Sequence, residues 1–175
     1  MAQAFISMGS NIDPETNVRS AIHRIGMKAR VTAISTVYRT EPVGPPGQPL
    51  FLNCVVEIQT DLPPRELKLQ LLRGIEKELG RVRSSDKFAA RTIDLDLIIY
   101  DELVMSSTDL VLPDPDIPQR PFLAIPLHEL SPGLVMPGSG LRIQDAAASL
   151  SRKTMTPLSA FTEQLRKEFL HEQKQ

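Results

Sequence analysis

Residues 91–100 are Arg91-Thr92-Ile93-Asp94-Leu95-Asp96-Leu97-Ile98-Ile99-Tyr100, an apolar stretch that contains two acids. Because side chains on a β-strand alternate between its faces, we expect Asp94 and Asp96 on one face and Ile93, Leu95, Leu97 and Ile99 on the other. Two strand steps of about 3.3 Å place the two acidic Cα atoms about 6–7 Å apart. Both carboxylates could then bind one Mg²⁺ ion or bracket two. The alternative is a half-buried strand with a solvated acidic face.

The loop that leads into this strand is basic. It runs from Gly80 to Phe88, and up to Arg91 its cations are Arg81, Arg83, Lys87 and Arg91, against the acid Asp86. The planar arginine side chain binds phosphate oxygens with two parallel hydrogen bonds and stays charged. Loop and strand together predict a site for a metal-bound polyphosphate. The alternative is a solvated loop in which Arg91 pairs with Asp94, which would stabilise the fold little.

Length and composition predict one globular domain. The chain has 175 residues, of which 41% are hydrophobic and 23% are charged, and a formal net charge of -1. This charge argues against a general nucleic-acid binder, which usually carries a broad basic surface. Cys54, in an apolar run, predicts a buried thiol. With no secretion-signal pattern and no run of about 18 apolar residues, we expect a cytoplasmic protein without a membrane partner.

Strand and helix signals alternate in the approximate order β-α-β-β-α-β. The predicted elements are a strand at 4–8 ended by a turn at 9–11, a helix capped by the Asp13 side chain with a buried stripe at Val18, Ala21, Ile22 and Ile25, a strand at 31–38, a loop at 41–49, a strand at 51–59, a helix over 67–79 closed by Gly80, and the strand of the opening stretch. This order favours the α+β class. We expect a ferredoxin-like sandwich, with a mostly antiparallel sheet covered by helices on one face.

The last third of the chain predicts two further helices. A proline-rich ordered loop begins at 112 and leads into a short helix near 123–130. After Thr156-Pro157, apolar residues recur at helical spacing at Leu158, Phe161, Leu165 and Phe169. This amphipathic helix suits docking on the core or self-association better than membrane binding. We expect residues 1–155 to form the main domain and residues 156–175 to be its helical extension, in a monomer or weak homodimer.

Six blocks of sequence, taken in order, point to a known family. They are Gly9-Ser10-Asn11, Tyr38 to Gly44, Phe51-Leu52-Asn53, Gly80 to Arg83, Arg91 to Asp96, and Pro113 to Phe122. Together they closely resemble the 6-hydroxymethyl-7,8-dihydropterin pyrophosphokinases of folate biosynthesis. The resemblance extends from about residue 4 to about residue 137, and its most specific block is Arg91 to Asp96.

The resemblance implies that the pyrophosphoryl group of ATP, the co-substrate, is transferred to the pterin hydroxymethyl and that AMP is released. It assigns catalysis to Arg81, Arg91, Asp94 and Asp96, with two Mg²⁺ ions held by Asp94 and Asp96. ATP would contact Glu76, Arg81, Arg83, Phe88, Arg91, Leu97, Val111, Pro115 and Arg120. The pterin would contact Thr40, Val43, Phe51, Asn53 and Phe122, stacking between the two phenylalanine rings.

Three departures from the family pattern are visible. Asp114 replaces the usual histidine between two prolines, Phe88 stands where many members carry tryptophan, and Ala89-Ala90 replaces a common Gly-Pro. An acid near phosphates would repel them, which predicts an active enzyme with altered ATP affinity. Two other classes remain open: a ferredoxin-like binding module, and a catalytically silent paralogue that binds pterin or nucleotide.

Overall fold

The computed structural model describes residues 1–170, and an antiparallel sheet forms its centre. Strand β5 is an edge strand, the order across the sheet is β5-β1-β4-β3-β8, and β2 also pairs with β4. A separate hairpin pairs β6 with β7. The strands are β1 Ala2–Ser10, β2 Arg30–Ile34, β3 Tyr38–Thr40, β4 Phe51–Thr60, β5 Asp94–Tyr100, β6 Met105–Ser106, β7 Val111–Leu112 and β8 Met155–Pro157. The predicted α+β class with a mostly antiparallel sheet is confirmed.

Helices cover both faces of the sheet, so the expectation of one covered face is wrong. The helices are α1 Pro14–Gly26, α2 Pro64–Glu66, the π-helical segment Leu67–Leu72 that joins α2 to α3, α3 Arg73–Glu78, α4 Pro121–Leu130, α5 Ile143–Ser149 and α6 Ser159–Leu170. The first core packs Ala4 and Ile6 of β1 against α1, α3 and α6, whereas the second core packs Phe5 against α4 and α5. A central strand that is apolar on both faces needs cover on both.

A β-bulge changes the predicted alternation of β5. Phe5 pairs with Ile99 but Ile6 pairs with Leu97, so that Ile98 is an extra residue. Leu95 and Leu97 lie in the first core, as expected, whereas Ile99 lies in the second. The prediction for Ile99 is therefore wrong, because an extra residue shifts all later side chains to the opposite face.

Three local predictions around β1, α1 and β2 also need correction. Gly9 and Ser10 are the last residues of β1 rather than a turn. The Asp13 side chain makes no capping hydrogen bond to α1, because Asp13 has left-handed backbone with φ 41°. The strand expected at 31–38 is two strands, since Ser35 lies between them and exchanges hydrogen bonds with the Val55 backbone.

The long helix ends as its sequence predicts. Gly80 has φ +82°, its N–H donates to the Lys77 carbonyl, and the Arg81 N–H donates to the Glu76 carbonyl. This pair of bonds is a Schellman motif, which glycine favours because it has no Cβ. The motif turns the chain sharply into the basic loop and fixes where Arg81 begins.

The two C-terminal helices are present. Helix α4 covers the expected 123–130 region, and α6 docks on the first core through Phe161 and Leu165. Residues 171–175 of the predicted extension lie outside the described residues. Within residues 1–170, no helix combines the length and apolar character needed to cross a membrane.

Candidate active site

One row of paired residues crosses the sheet and brings the predicted site together. In this row Asp94 of β5 pairs with Gly9 of β1, Gly9 pairs with Asn53 of β4, and Asn53 pairs with Tyr38 of β3. Adjacent strands are about 4.8 Å apart, so the Cα atoms of Asp94 and Asn53 are separated by about 10 Å across Gly9. A Cβ atom at Gly9 would lie 2.7 Å from Asn53 Oδ1. The glycine therefore leaves room for the Asn53 amide beside the gap that separates it from Asp94.

A cavity of about 430 Å³ lies over this row, on the face that α4 covers. Ten of the residues expected to bind substrate line it: Thr40, Val43, Phe51, Asn53, Phe88, Arg91, Asp94, Asp96, Arg120 and Phe122. They lie on strands β3, β4 and β5, on the loops that precede β4, β5 and α4, and on α4 itself. The cavity thus joins the candidate pterin residues to the candidate metal and phosphate residues.

Asp94 is held between two arginines. Its Oδ1 lies 3.1 Å from Arg81 Nη1, and its Oδ2 lies 3.0 Å from Arg91 Nη1. Arg81 also donates to the Ile93 carbonyl at 2.7 Å, and its side chain is only 11% exposed. Because the three groups are largely shielded from water, their charges interact more strongly than a surface pair would. Asp94 has a fixed orientation as a result.

Arg91 is positioned by its backbone and by its side chain. Asn11 and Arg91 exchange two hydrogen bonds, from the Asn11 N–H to the Arg91 carbonyl and from the Arg91 N–H to Asn11 Oδ1. The guanidinium donates to the Lys87 carbonyl at 2.6 Å and lies over the Phe51 ring, 5.7 Å from its centroid. A cation over an aromatic face is attracted to it. Arg91 therefore connects the acidic end of the cavity with the aromatic end.

Glu76 lies behind the acids rather than on the helix surface, with its side chain only 2% exposed. Its Oε1 accepts the Leu95 N–H of β5 at 2.9 Å, and its Oε2 accepts from Arg83 Nη2 at 2.6 Å. Arg81 Nη1 lies 3.7 Å from Oε1. Glu76 is therefore not a solvated acid on the helix surface. One buried carboxylate ties the helix, the basic loop and the edge strand together.

Asp96 lies among like charges. Burial, together with the neighbouring carboxylates of Asp94, Asp114 and Glu76, raises its pKa to about 7, although Lys68 opposes the rise. A divalent cation would relieve this repulsion, and carboxylate oxygens are the donors that Mg²⁺ prefers. The pair Asp94 and Asp96 therefore fits a Mg²⁺ ion. Among the described residues, no group of three His, Cys, Asp or Glu side chains is placed to hold a metal.

Asp114 also lines the cavity, where the family resemblance would place a histidine. Its backbone N–H donates to the Ile98 carbonyl at the bulge, and its Oδ1 accepts the Asp116 N–H at 2.8 Å. Burial raises the pKa of Asp114, the Asp116 hydrogen bond and Lys68 lower it, and the Asp116 charge raises it. The substitution thus adds a third carboxyl group beside Asp94 and Asp96.

The aromatic end of the cavity has two partly buried rings, Phe51 on β4 and Phe122 at the start of α4. Asn53 Nδ2 donates to Thr40 Oγ1 at 2.6 Å, which orients the amide. Val43 is 48% exposed on the proline-rich loop. Two aromatic rings and polar groups of fixed direction in one cavity suit a flat heterocycle with a mixed donor and acceptor edge.

Six residues expected to contact ATP do not line this cavity. Arg81 and Arg83 line a smaller adjoining cavity of about 220 Å³, together with Arg91 and Lys87. Glu76 is buried behind the acids, and Leu97 has its side chain in the first core, so only its backbone on the edge strand is available to a ligand. Val111 is 42% exposed on β7, and Pro115 is exposed in the loop before α4.

Six lining residues had been assigned no site role from the sequence: Ser7, Met8, Gly9, Glu41, Asp116 and Leu123. Ser7 pairs with Asp96 across the sheet. Its position depends on the register between β1 and β5, which the sequence of either strand does not contain. Register is the missing signal.

Fold and cavity together define an α+β domain whose cavity suits a flat polar ligand and contains an acid pair and arginines. The family described as 7,8-dihydro-6-hydroxymethylpterin-pyrophosphokinase (HPPK) matches residues 5–132. The 2-amino-4-hydroxy-6-hydroxymethyldihydropteridine pyrophosphokinase of Bacillus subtilis is 42% identical over 130 residues, covering 73% of this chain and 77% of that protein. The protein of the same name from Haemophilus influenzae is 35% identical over 142 residues, covering 79% and 88%.

The chain therefore belongs to the HPPK family, and the family predicted from the sequence is confirmed. Among solved structures, a Plasmodium falciparum HPPK-DHPS chain is similar in fold, with a TM-score of 0.70 at 11% identity. The similarity covers 89% of this chain but 48% of that chain. At this identity the likeness concerns the fold alone.

Proposed function

We propose that this chain is the folate-biosynthesis enzyme that transfers the pyrophosphoryl group of ATP to the hydroxymethyl of 6-hydroxymethyl-7,8-dihydropterin. The observation that carries the proposal is the row Asp94, Gly9, Asn53. Asp94 and Asn53 lie on the two sides of Gly9, which supports a metal-binding role for the acid and a pterin-reading role for the amide. A pterin held at Asn53 would direct its hydroxymethyl towards Asp94.

The reaction replaces one phosphorus–oxygen bond with another. The hydroxymethyl oxygen bonds to the β-phosphorus, the bond from that phosphorus to the oxygen bridging the α-phosphate breaks, and AMP leaves with that oxygen. Such transfers need alignment and charge neutralisation more than covalent chemistry. The arginines supply both, since Arg91 and Arg81 are held rigidly beside Asp94.

We assign Mg²⁺, as two ions, to the carboxylates of Asp94 and Asp96. When bound, the metal would neutralise phosphate charge and polarise the reacting oxygens. Arg83, Arg120 and Lys87 supply further positive charge at the two cavities. Arg81 and Arg91 take the catalytic role, while Glu76 holds Arg81 and Arg83 in place.

The pterin lies between Phe51 and Phe122 in this proposal, with Asn53 and Thr40 reading its polar edge and Val43 covering it. Offset stacking contributes about 0.5–1.5 kcal/mol beyond the burial of area. The adenosine would contact Phe88, Pro115, Val111 and the backbone of Leu97.

The remaining expectations stay predictions. We expect a cytoplasmic monomer or weak homodimer that binds these two small molecules and no nucleic acid. Residues 156–175 are assigned to the same domain as residues 1–155, which is consistent with the packing of α6 on the first core.

Product analysis tests the proposal. The protein is incubated with ATP, MgCl₂ and the pterin, and AMP is quantified by chromatography; parallel samples omit the pterin or contain EDTA. We expect AMP and pterin diphosphate in equal amounts only in the complete mixture. Absence of AMP would refute the proposed activity, and pterin binding measured on the same sample would then identify a silent paralogue.

A further inference from the structure

Two elements supply separate walls of the candidate pterin pocket, with Thr40 on β3 and Phe122 on α4. Strand β3 pairs with β4 so that Tyr38 is opposite Asn53 and Thr40 is opposite Phe51. Helix α4 carries Phe122 at its start and Glu129 near its end. The spacing between the two walls decides whether a flat ring fits between Phe51 and Phe122.

One carboxylate, away from the cavity, links these walls. The Tyr38 hydroxyl donates to Glu129 Oε1 in a short contact, and the Thr36 N–H donates to Glu129 Oε2 at 2.9 Å. Glu129 therefore accepts hydrogen bonds from β3 and from the segment that precedes it. Hydrogen bonds to a charged acceptor are stronger than those between neutral groups.

The buried ring of Tyr38 also packs against α4. Tyr38 is 7% exposed and packs with Ile125 of α4, Ala147 of α5 and Met155 of β8, and Phe122 packs against this cluster. Burial and the neighbouring Glu129 together raise the pKa of Tyr38 to about 12, although Arg152 opposes the rise. The hydroxyl therefore remains a donor to Glu129 throughout the neutral range.

Resting on the function proposed above, we infer that Tyr38 and Glu129 are a positioning pair that sets the width of the pterin pocket. Neither side chain lines the cavity, so neither touches the reacting atoms. They act through α4, in which the seven-residue separation between Phe122 and Glu129 spans about 10 Å of helix. Releasing the far end of α4 would let Phe122 move relative to Phe51.

Steady-state kinetics of four single variants and of the double variant with Tyr38→Phe and Glu129→Ala test this inference. Tyr38→Phe keeps the buried ring and removes the hydroxyl, Glu129→Ala removes the acceptor, and Glu129→Gln keeps an acceptor. The matched control is Tyr100→Phe, because the Tyr100 hydroxyl donates to the Leu62 carbonyl outside the cavity. Thermal melting confirms that each variant is folded.

Tyr38→Phe and Glu129→Ala should each raise the pterin KM about threefold to tenfold, the effect of one charge-assisted hydrogen bond. We expect kcat and the ATP KM to stay within twofold of the wild-type values. Glu129→Gln should have a pterin KM close to the wild-type value. The double variant should have a pterin KM no higher than that of the more impaired single variant. An unchanged pterin KM, or an equal rise in the ATP KM, would overturn the inference. If the wild-type protein forms no AMP, the proposed function fails instead, and pterin Kd values measured by fluorescence decide the positioning role.

Discussion

Gly9 lies between Asp94 and Asn53 in the sheet, and its missing side chain keeps the gap between them open. A metal-bound phosphate and a pterin hydroxymethyl would have to meet in this gap. Alanine, the smallest residue that has a Cβ, would bring this atom to 2.7 Å from Asn53 Oδ1. This distance is shorter than van der Waals contact, so the amide would have to turn away.

Gly9→Ala should therefore weaken pterin binding. We expect the pterin KM to rise about tenfold, because Asn53 loses its orientation, while the ATP KM changes less than twofold. Kinetics with each substrate varied in turn provide the measurement. Gly74→Ala is the control, since a Cβ there meets nothing within 4 Å. A wild-type pterin KM in Gly9→Ala would contradict the role of the gap.

Asp114 is a second residue whose substitution should change the affinity for one substrate. Its carboxyl group lies beside the Asp94 and Asp96 pair, where it would repel nucleotide phosphates. Asp114→His should lower the ATP KM about threefold to tenfold at low salt, and Asp114→Asn should give part of this effect because it removes the charge alone. An ATP KM that is unchanged in both variants would show that Asp114 does not face the phosphates.

Residues whose role depends on their own strand were predictable from sequence. The alternation that places Asp94 and Asp96 on one face is local, and both side chains line the cavity. Ser7 and Asp116 were not predictable, because they reach the site through strand register and loop conformation. For Glu76, the helix was predictable from the sequence. The burial of its side chain was not, because it depends on how that helix packs on β5.

The helix that ends in α3 is joined to the edge strand by Glu76. This side chain accepts the Leu95 N–H, which has no neighbouring strand to bind on that side, and it pairs with Arg83 and Arg81. Edge strands need their free backbone groups covered. The same contact that covers the edge therefore positions the arginines of the basic loop.

Glu76→Ala should destabilise the fold by about 3 kcal/mol, because it leaves the Leu95 N–H without its acceptor and removes one of the two carboxylates beside the buried Arg81. Glu76→Gln should cost less, since its amide oxygen can still accept the N–H. Urea denaturation monitored by circular dichroism measures both. Glu78→Ala, which removes an exposed partner of Arg24, should change stability by less than about 1 kcal/mol. Equal effects of Glu76→Ala and Glu78→Ala would refute the account.

The irregularities of the strands that were not predicted from the sequence have one physical origin. The bulge at Ile98 and the break at Ser35 both depend on hydrogen bonds with a neighbouring strand. Helix α1 and its buried stripe, by contrast, follow from a periodicity within the helix itself. The sequence therefore predicted the elements and their order better than their irregularities.

Across the whole molecule, the sheet separates two cores, and the site lies on the side that α4 and α5 cover. Cys54 of β4 lies in the first core, on the opposite face from the cavity. Burial raises the pKa of its thiol from the ordinary 9.0 to about 12. The folded state therefore keeps this proton at pH values at which the unfolded chain loses it.

This linkage predicts alkaline destabilisation. The contribution of the protonated thiol is complete below pH 9 and is lost as the pH rises towards 12, with a slope of up to about 1.4 kcal/mol per pH unit. Urea denaturation at pH 8 to 10.5 should show a steeper fall for the wild-type protein than for Cys54→Ala. Tyr38, also raised to about 12, contributes to both proteins. Parallel curves would contradict the burial of Cys54.

The central claim is that Asp94 and Asp96 serve catalysis rather than stability, and AMP formation by Asp94→Asn and Asp96→Asn variants tests it most directly. Asp61→Asn is the matched control, since Asp61 is 84% exposed and distant from the cavity. We predict at least about a 100-fold loss of AMP formation in both site variants, with pterin binding and the folded state retained at the assay temperature. AMP formation within tenfold of the wild-type rate in both would contradict the account.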